Sequence, residues 1–525
     1  MMMKRMGAWM LLALLTLIGE WSGRCYGCLE EERIGLLEIQ SLIDPDGISL
    51  RHWVDSSNCC EWPEIECDNT TKRVIQLSLS EARDYSLGDW VLNASLFQPF
   101  KELQSLDLGY TRLVGCMENE GFEVLSSKLS NLDLRVNQFT NDKSILSCFN
   151  GNLSTLKSLD LSDNWLTAGS GFKVLSSRLK KLENLHLWGN QFNDSICPSL
   201  TGFSSLKSLD LSFNQLTGSG FKVLSSRLKK LENLHLWENQ FNDSIFPSLT
   251  GFSSLKSLDL SYNELTGSGL KVLSSRLKKL ENLLLRWNQY NDTIFPSLTG
   301  FSSLKSLDLS ANQLTGSINS FQLQPMRLGK LENLDLSENQ LNSSILSILR
   351  GLSSLKSLDL SFNQLTGSGF EIISSHLGKL ENLDLTYNIF NDSILSHLRG
   401  FSSLKSLNLS GNMLLGSTTV NGLRTLEFLQ SLPISLKTLS LKDTNLSQGT
   451  FFNSSTLEEL HLDRTSLPIN FLRNIGALPA LKVLSVAECD LHVTLPAQAL
   501  PWLRWIFEIT ASPAPFQIGL AIFHH

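Results

Sequence analysis

Residues 206–214 read L-K-S-L-D-L-S-F-N, and this frame decides the fold. Leu209 and Leu211 alternate with polar neighbours, the period-two pattern of a strand with one face buried. Asn214 follows where such a strand must turn, and its side chain can serve backbone groups that the turn would otherwise bury unpaired. The frame recurs as Leu129-Leu132-Leu134-Asn137, Leu156-Leu159-Leu161-Asn164 and Leu182-Leu185-Leu187-Asn190. Its asparagine continues through Asn239, Asn263, Asn288, Asn312, Asn339, Asn363, Asn388 and Asn412, mostly 24 or 25 residues apart. Thr111, Thr444, Thr465 and Cys489 hold the same place in weaker copies. From Leu103 to Leu481 there are 16 frames, and Val74-Leu77-Leu79 forms a partial earlier one.

That period and that asparagine series are the signature of leucine-rich repeats. The expected fold is an α/β solenoid, a right-handed superhelix in which one short strand per coil stacks into a parallel β-sheet on the concave face. At about 4.8 Å per strand the sheet would be on the order of 75 Å long. The residue after the opening leucine alternates in sign along the chain, from Lys157, Glu183, Lys207 and Glu232 to Glu381 and Lys405. Opposite charges therefore fall side by side on neighbouring coils, although each exposed pair contributes little. The unit of descent is two coils. Phe172 to Gly220 and Phe221 to Gly269 differ only at Gly189/Glu238, Cys197/Phe246, Phe213/Tyr262 and Gln215/Glu264.

Four segments are expected: a leader over 1–27, a cap over 28–70, the solenoid of about 16 to 17 repeats over 71–496, and a non-repeat tail over 497–525. The leader has Lys4 and Arg5, an apolar run from Trp9 to Ile18 and a more polar exit from Trp21 to Gly27, the order of a secretory signal. The run is too short to span a bilayer, which takes about 20 residues. Cleavage after Gly27 would leave Cys28 at the new terminus, in an oxidising compartment. Cys28, Cys59, Cys60 and Cys67 then make two disulfides. Cys28 with Cys59 and Cys60 with Cys67 is the simplest pairing, but four cysteines allow about three connectivities and the sequence does not choose among them. A bridge between Cys116 and Cys148 is the lesser of two readings for that pair, and Cys197 and Cys489 are isolated.

The chain has 525 residues, 42% hydrophobic, with a net charge of −7 and a pI near 5.8. No long lysine or arginine block occurs, so nucleic acid is not an expected partner, and a mildly acidic surface suits basic or neutral ones. No His/Cys group has metal-ligand spacing, and no cofactor is expected. His461 and Asp463 share the concave face without a nucleophile or second base, so no enzymatic role is expected.

The cap with Cys59-Cys60-x-Trp62 and Cys67, the coils of about 24 residues and phrases such as Leu216-Thr217-Gly218-Ser219 resemble the extracellular part of plant leucine-rich-repeat receptor-like proteins. Similar caps occur in plant receptor kinases and polygalacturonase-inhibiting proteins. The family's L-x-G-x-I-P continuation is only partly kept, since Ser195-Ile196-Cys197-Pro198 carries an extra residue before proline. The repeat frame ends after Leu495-Pro496, so the chain resembles a truncated ectodomain with no membrane span. There is no glycine-rich loop, V-A-I-K, H-R-D or D-F-G of a kinase. The resemblance implies a protein of the secretory pathway and extracellular space, or of the plasma membrane in a longer form. Its implied task is to recognise a peptide, protein or glycan and to signal only through partners such as a co-receptor or adaptor kinase. The alternatives are a secreted inhibitor of a microbial cell-wall hydrolase and a non-functional truncated receptor.

Most coils offer Ser-Asp-Ser on the concave face, for example Ser208, Asp210 and Ser212. Three alternate coils differ, with Asn184-His186-Trp188, Asn233-His235-Trp237, and Asn282-Leu284-Arg286 followed by Trp287. Exposed tryptophan with histidine and arginine is the composition of interface hot spots. These residues are the expected ligand contacts, although duplication alone accounts for the second His-Trp set. Acceptors of the form N-x-S/T stand at Asn69, Asn93, Asn152, Asn193, Asn242, Asn291, Asn342, Asn391, Asn408, Asn445 and Asn453. Asn193 to Asn391 recur every second coil and would line one flank with sugar. A glycan on Asn408 would instead block one end of the concave face.

Overall fold

The computed structural model describes residues 28–489 except 55–57, 118–120, 123–124, 126, 152, 168, 318–324, 416–417, 421–422, 426–431, 447–455, 468–470 and 472–477. The expected leader, the tail, Asn152 and Asn453 lie outside the described residues. Its internal contacts divide the chain into two units, Met1–His235 and Leu236–His525.

The first unit opens with the cap. Its helix Glu30–Ile43 buries Leu36, Ile39 and Ile43, spaced for one helical face. Disulfides join Cys28 to Cys59 and Cys60 to Cys67. Trp53 stacks on Trp62 at 5.1 Å, and its indole N–H donates to Glu64 at 2.8 Å. The strand Ile65–Cys67 runs antiparallel to Val74–Ser78, which in turn pairs parallel with Ser105–Asp107. The cap therefore covers the first coil with a strand of opposite direction. Asn131–Asp133, Ser158–Asp160, Asn184–His186, Ser208–Asp210 and Asn233–His235 follow as a parallel series. In the second unit the same series runs from Ser257–Asp259 to Ser406–Asn408, then through Thr438–Ser440 and Glu459–His461 to Val483–Ser485. In each three-residue strand of these parallel series the central leucine is buried.

The ladder asparagine links each coil to the one before. Asn214 donates its amide hydrogens to the carbonyls of Leu187, Leu211 and Ser212 at 3.1, 3.2 and 2.9 Å, and its Oδ1 accepts the Phe192 N–H at 2.9 Å. Asn363 repeats the set with Leu336, Leu360, Ser361 and the Leu341 N–H. Thr465 and Cys489 reach one of the equivalent carbonyls of the preceding coil, of Leu441 at 2.8 Å and of Leu462 at 2.9 Å. To turn the amide into this position, the residue before the asparagine takes the left-handed backbone region. Phe213, Glu238, Tyr262, Trp287, Phe362 and Tyr387 all have φ between 50° and 53°.

Other contacts fix the flanks. Asp194 accepts the backbone N–H groups of Thr217, Gly218 and Ser219 and the hydroxyls of Thr217 and Ser219, one coil further on. Burial pushes this carboxyl up, but the hydrogen bonds outweigh it and hold it below its ordinary range. The alternating charges meet as expected, Lys207 with Glu183 in the first unit and Lys305 with Glu281, Lys356 with Glu332 and Lys405 with Glu381 in the second, each at 2.8 Å. One reading needs correction. Cys116 and Cys148 are joined, because an additional strand, Leu113–Cys116, packs against the helix Asp142–Cys148. That strand belongs to a second small sheet with Trp90–Leu92, which the leucine frame does not announce.

Asn363→Ala leaves the Leu341 N–H without a partner and removes one of two donors from each of the Leu336, Leu360 and Ser361 carbonyls, which keep Asn339, Asn388 and the Glu338 N–H. It should lower stability by about 1 to 3 kcal/mol, read from the urea midpoint, and Asn363→Thr should recover part of the loss.

Candidate functional site

The residues that alternate with the buried leucines form the open face of the sheet in each unit. Three rows cross each strand there. The first carries serine or asparagine, the second is largely aspartate, and the third lies where the strand enters its turn. The sequence places Ser212 on the concave face, and this is corrected: it is 0% exposed, and Ser310 in the equivalent place of a later coil is 4% exposed. Phe213, the left-handed residue after Ser212, is exposed in its place, and the Ser310 hydroxyl donates to Asp308 at 2.7 Å.

In the first unit, Asn184, His186, Trp188, Asn233 and His235 are all half-buried on this face. The Trp188 ring lies 6.2 Å from Phe213, at 33°. His186 also borders a recess of about 280 Å³ lined by Asp107, Asn131, Asp133, Ser158 and Asp160. Asp107, Asp133 and Asp160 are register neighbours on consecutive strands. Burial, and next the facing Asp160 and Asp107 charges, raise the Asp133 carboxyl to about 6, although the Arg135 N–H and guanidinium counter this.

In the second unit, Trp237, Tyr262 and Trp287 form a continuous ladder. Trp237 meets Tyr262 edge-on at 6.3 Å, and Tyr262 stacks on Trp287 at 5.4 Å and 12°. The Arg286 guanidinium lies 5.7 Å from the centre of the Tyr262 ring, and its buried Nε–H has no acceptor among the described residues. Further along, Phe362 stacks on Tyr387 at 4.7 Å. The expected contacts are thus divided, with Asn184, His186, Trp188, Asn233 and His235 in one unit and Trp237, Arg286 and Trp287 in the other.

Sequence reasoning missed Phe213, Tyr262, Phe362 and Tyr387. Apart from Trp287 it weighed only positions alternating with leucine, and these four, like Trp287, occupy the turn residue before the asparagine. An aromatic at that place is the signal that could have found them, because a left-handed backbone costs a bulky residue on the order of 1 kcal/mol or more and nothing in the coil requires it.

The middle row of the second unit is acidic. Asp308, Asp335, Asp359 and Asp384 are register neighbours on successive strands. Burial and then the charges of Asp335 and Asp384 push the Asp359 carboxyl up to about 6, against hydrogen bonds from Ser361. At the far end Asp463 pairs with Lys442 at 2.8 Å and His461 faces Glu459 at 3.8 Å. Among the described residues no group of three or more His, Cys, Asp or Glu could hold a metal ion, and no helix is long and apolar enough to cross a membrane.

The glycan acceptors differ in geometry. Asn193, Asn242, Asn291, Asn342 and Asn391 each accept, through Oδ1, the N–H two residues on, at 2.9 to 3.0 Å. All but the half-buried Asn342 are exposed. Asn408 instead lies within a strand, where its Nδ2 donates to Asp384 at 3.1 Å and its Oδ1 accepts the Ser410 N–H and hydroxyl. Asn69 and Asn445 are exposed and Asn93 is half-buried.

Residues 29–68 match the family described as "Leucine rich repeat N-terminal domain". Leucine-rich-repeat families match 152–174, 204–225, 253–274, 303–322, 330–352 and 351–371. Cuscuta receptor 1 of Solanum lycopersicum is 35% identical over 236 residues, which are 37% of this chain and 20% of that protein. Receptor-like protein 45 of Arabidopsis thaliana is 40% identical over 172 residues, 31% of this chain and 17% of that protein. The chain thus spans a fifth or less of the length of these relatives. A leucine-rich-repeat protein of Leptospira interrogans has the same fold, with a TM-score of 0.54, 24% identity and coverage of 82% of this chain and 94% of that one.

A raised folded-state pKa means that ionised Asp359 opposes folding at neutral pH. Asp359→Asn should therefore stabilise the protein at pH 7.5, and the gain should shrink as pH falls through 6 and vanish below about 4, where the unfolded carboxyl is also protonated. Thermal unfolding across that range checks the sign.

Proposed function

We propose, from the premise that the chain is a leucine-rich-repeat protein whose curated relatives are plant receptor-like proteins, that it recognises an extracellular peptide, protein or glycan on the open face of its sheet and signals only through partners such as a co-receptor or adaptor kinase. The observation that carries this reading is the ladder Trp237-Tyr262-Trp287 with Arg286 beside it. Trp287 and Tyr262 are 47% and 40% exposed in a backbone conformation that disfavours them, so they contribute nothing to the coil that a glycine or glutamate would not. Gly189 and Glu238 hold the equivalent place in sister coils. Rigid aromatics next to an arginine donor are the groups that dominate binding energy at interfaces.

The face is also the accessible side. The exposed acceptors Asn193, Asn242 and Asn291 stand in loops two coils apart and Asn391 four coils further on, and sugars there would cover those loops. The disulfides Cys28–Cys59, Cys60–Cys67 and Cys116–Cys148 fit an oxidising, extracellular environment.

Two measurements test the reading. Species retained from extracellular fluid by the immobilised protein should be lost, with at least about tenfold weaker binding, when Trp188, Trp237 and Trp287 are changed to alanine. Retention by that variant, with an unchanged circular dichroism spectrum, removes the ladder from the site. Peptide mapping of protein made in plant cells should find sugar on Asn193, Asn242, Asn291 and Asn391 and none on Asn408, whose amide is held by Asp384.

A further inference from the structure

Near-identical coils give every exposed position an internal control. In one type of coil the residue after the ladder asparagine is Gln215, Glu264, Gln313 or Gln364, and two positions later stands Thr217, Thr266, Thr315 or Thr366. In the coil of Asn412 these places hold Met413 and Leu415. In the other type the residue after the asparagine is Gln191, Gln240, Gln289 or Gln340, but the coil of Asn388 has Ile389. The backbone does not require the exchanges. The N–H of Ile389 donates to the Leu365 carbonyl at 3.0 Å, as Gln340 does to Leu314 at 2.9 Å, and Met413 donates to Phe390 as Gln364 does to Leu341, both at 2.9 Å.

The three aliphatic side chains stand in water, with Met413, Leu415 and Ile389 at 63%, 45% and 42% exposure. Phe362 and Tyr387, in the same run of three coils, are exposed by 51% and 44% and stack on each other. The Tyr387 ring lies across Gly411, where a Cβ would come within 2.5 Å of it, and its hydroxyl donates to Asp443 at 3.4 Å. The five side chains stand within one or three residues of the ladder asparagine on three successive coils, and together they expose on the order of 400 Å² of apolar surface. Single exposed apolar residues are ordinary, but a cluster of this size is often functional on a monomer.

The open sheet face of these coils adds charge. Asp335, Asp359 and Asp384 are register neighbours there and make no ion pair among the described residues, whereas Glu332 and Glu381 on the strand side of the same coils are matched by Lys356 and Lys405. A second copy of this chain is a poor occupant, because pairing patch with patch would set one carboxylate row near another. A partner with apolar residues and cations on one side satisfies both bands at once.

We propose that the coils spanning residues 333–415 form a docking surface for a cationic amphipathic peptide, whose apolar side chains cover Phe362, Tyr387, Ile389, Met413 and Leu415 and whose lysines or arginines meet Asp335, Asp359 and Asp384. The inference rests on the recognition reading but not on the ladder at Trp287, and its test separates the two.

The probes are short peptides of alternating lysine and leucine, of alternating glutamate and leucine, and of lysine alone, titrated against the purified full chain. The lysine-leucine peptide should bind at least about tenfold more tightly than either control. The variant Ile389→Gln/Met413→Gln/Leu415→Thr restores residues that sister coils already carry, so it should fold, and it should lose about tenfold in affinity. Asp335→Ala/Asp359→Ala/Asp384→Ala should lose as much, while Trp287→Ala should bind as the parent does. Equal binding of the three probes, unchanged affinity in either triple variant, or loss in Trp287→Ala would each overturn the proposal. So would a dimer in sedimentation velocity that the restored variant dissolves, because the patch would then be an interface between copies.

Discussion

Within each unit of this protein most coils are held to the coil before by one primary amide, with a threonine or cysteine in its place at Thr111, Thr444, Thr465 and Cys489. An asparagine such as Asn214 or Asn363 reaches carbonyls of its own turn and of the preceding coil with its amide hydrogens, and takes an N–H of that preceding coil on its oxygen. A turn once per strand would otherwise bury several peptide groups without partners, at a cost of about 1 to 3 kcal/mol each. The leucines supply the driving force for burial, but the amide fixes the register.

That constraint has a consequence for the surface. Turning the amide inward forces the preceding residue into the left-handed region, where its side chain projects away from the core. The frame thus produces, coil after coil, a position whose identity does not affect packing. Here it is filled by Phe213, Tyr262, Trp287, Phe362 and Tyr387, next to Arg286 and the aspartate row. Recognition and architecture are separated by residue position, so sequence can change at one without loss at the other.

The sequence shows the architecture well because the leucine and asparagine positions state their own burial, and the lysine and glutamate alternation shows which charges meet. The cap pairing is the simplest of the connectivities that the cysteines allow. The Cys116–Cys148 bridge is less legible, because it depends on a strand at Leu113–Cys116 outside the leucine frame. The open face is only half legible. Trp188, Trp237 and Arg286 follow from alternation, but the turn aromatics follow from a backbone angle that no residue type encodes, and the burial of Ser212 follows from its neighbours. The recess at Asp107, Asp133 and Asp160 depends on registry across coils more than 20 residues apart in the chain.

Amide hydrogen exchange on the unmodified protein tests the central constraint most directly. The N–H groups of Leu341, Leu365 and Phe390, which the asparagine oxygens of the following coils accept at 2.9 to 3.1 Å, should be among the slowest to exchange, alongside those of the strands. If they exchange as fast as exposed loop amides while the strands stay protected, the asparagines do not hold the coils together.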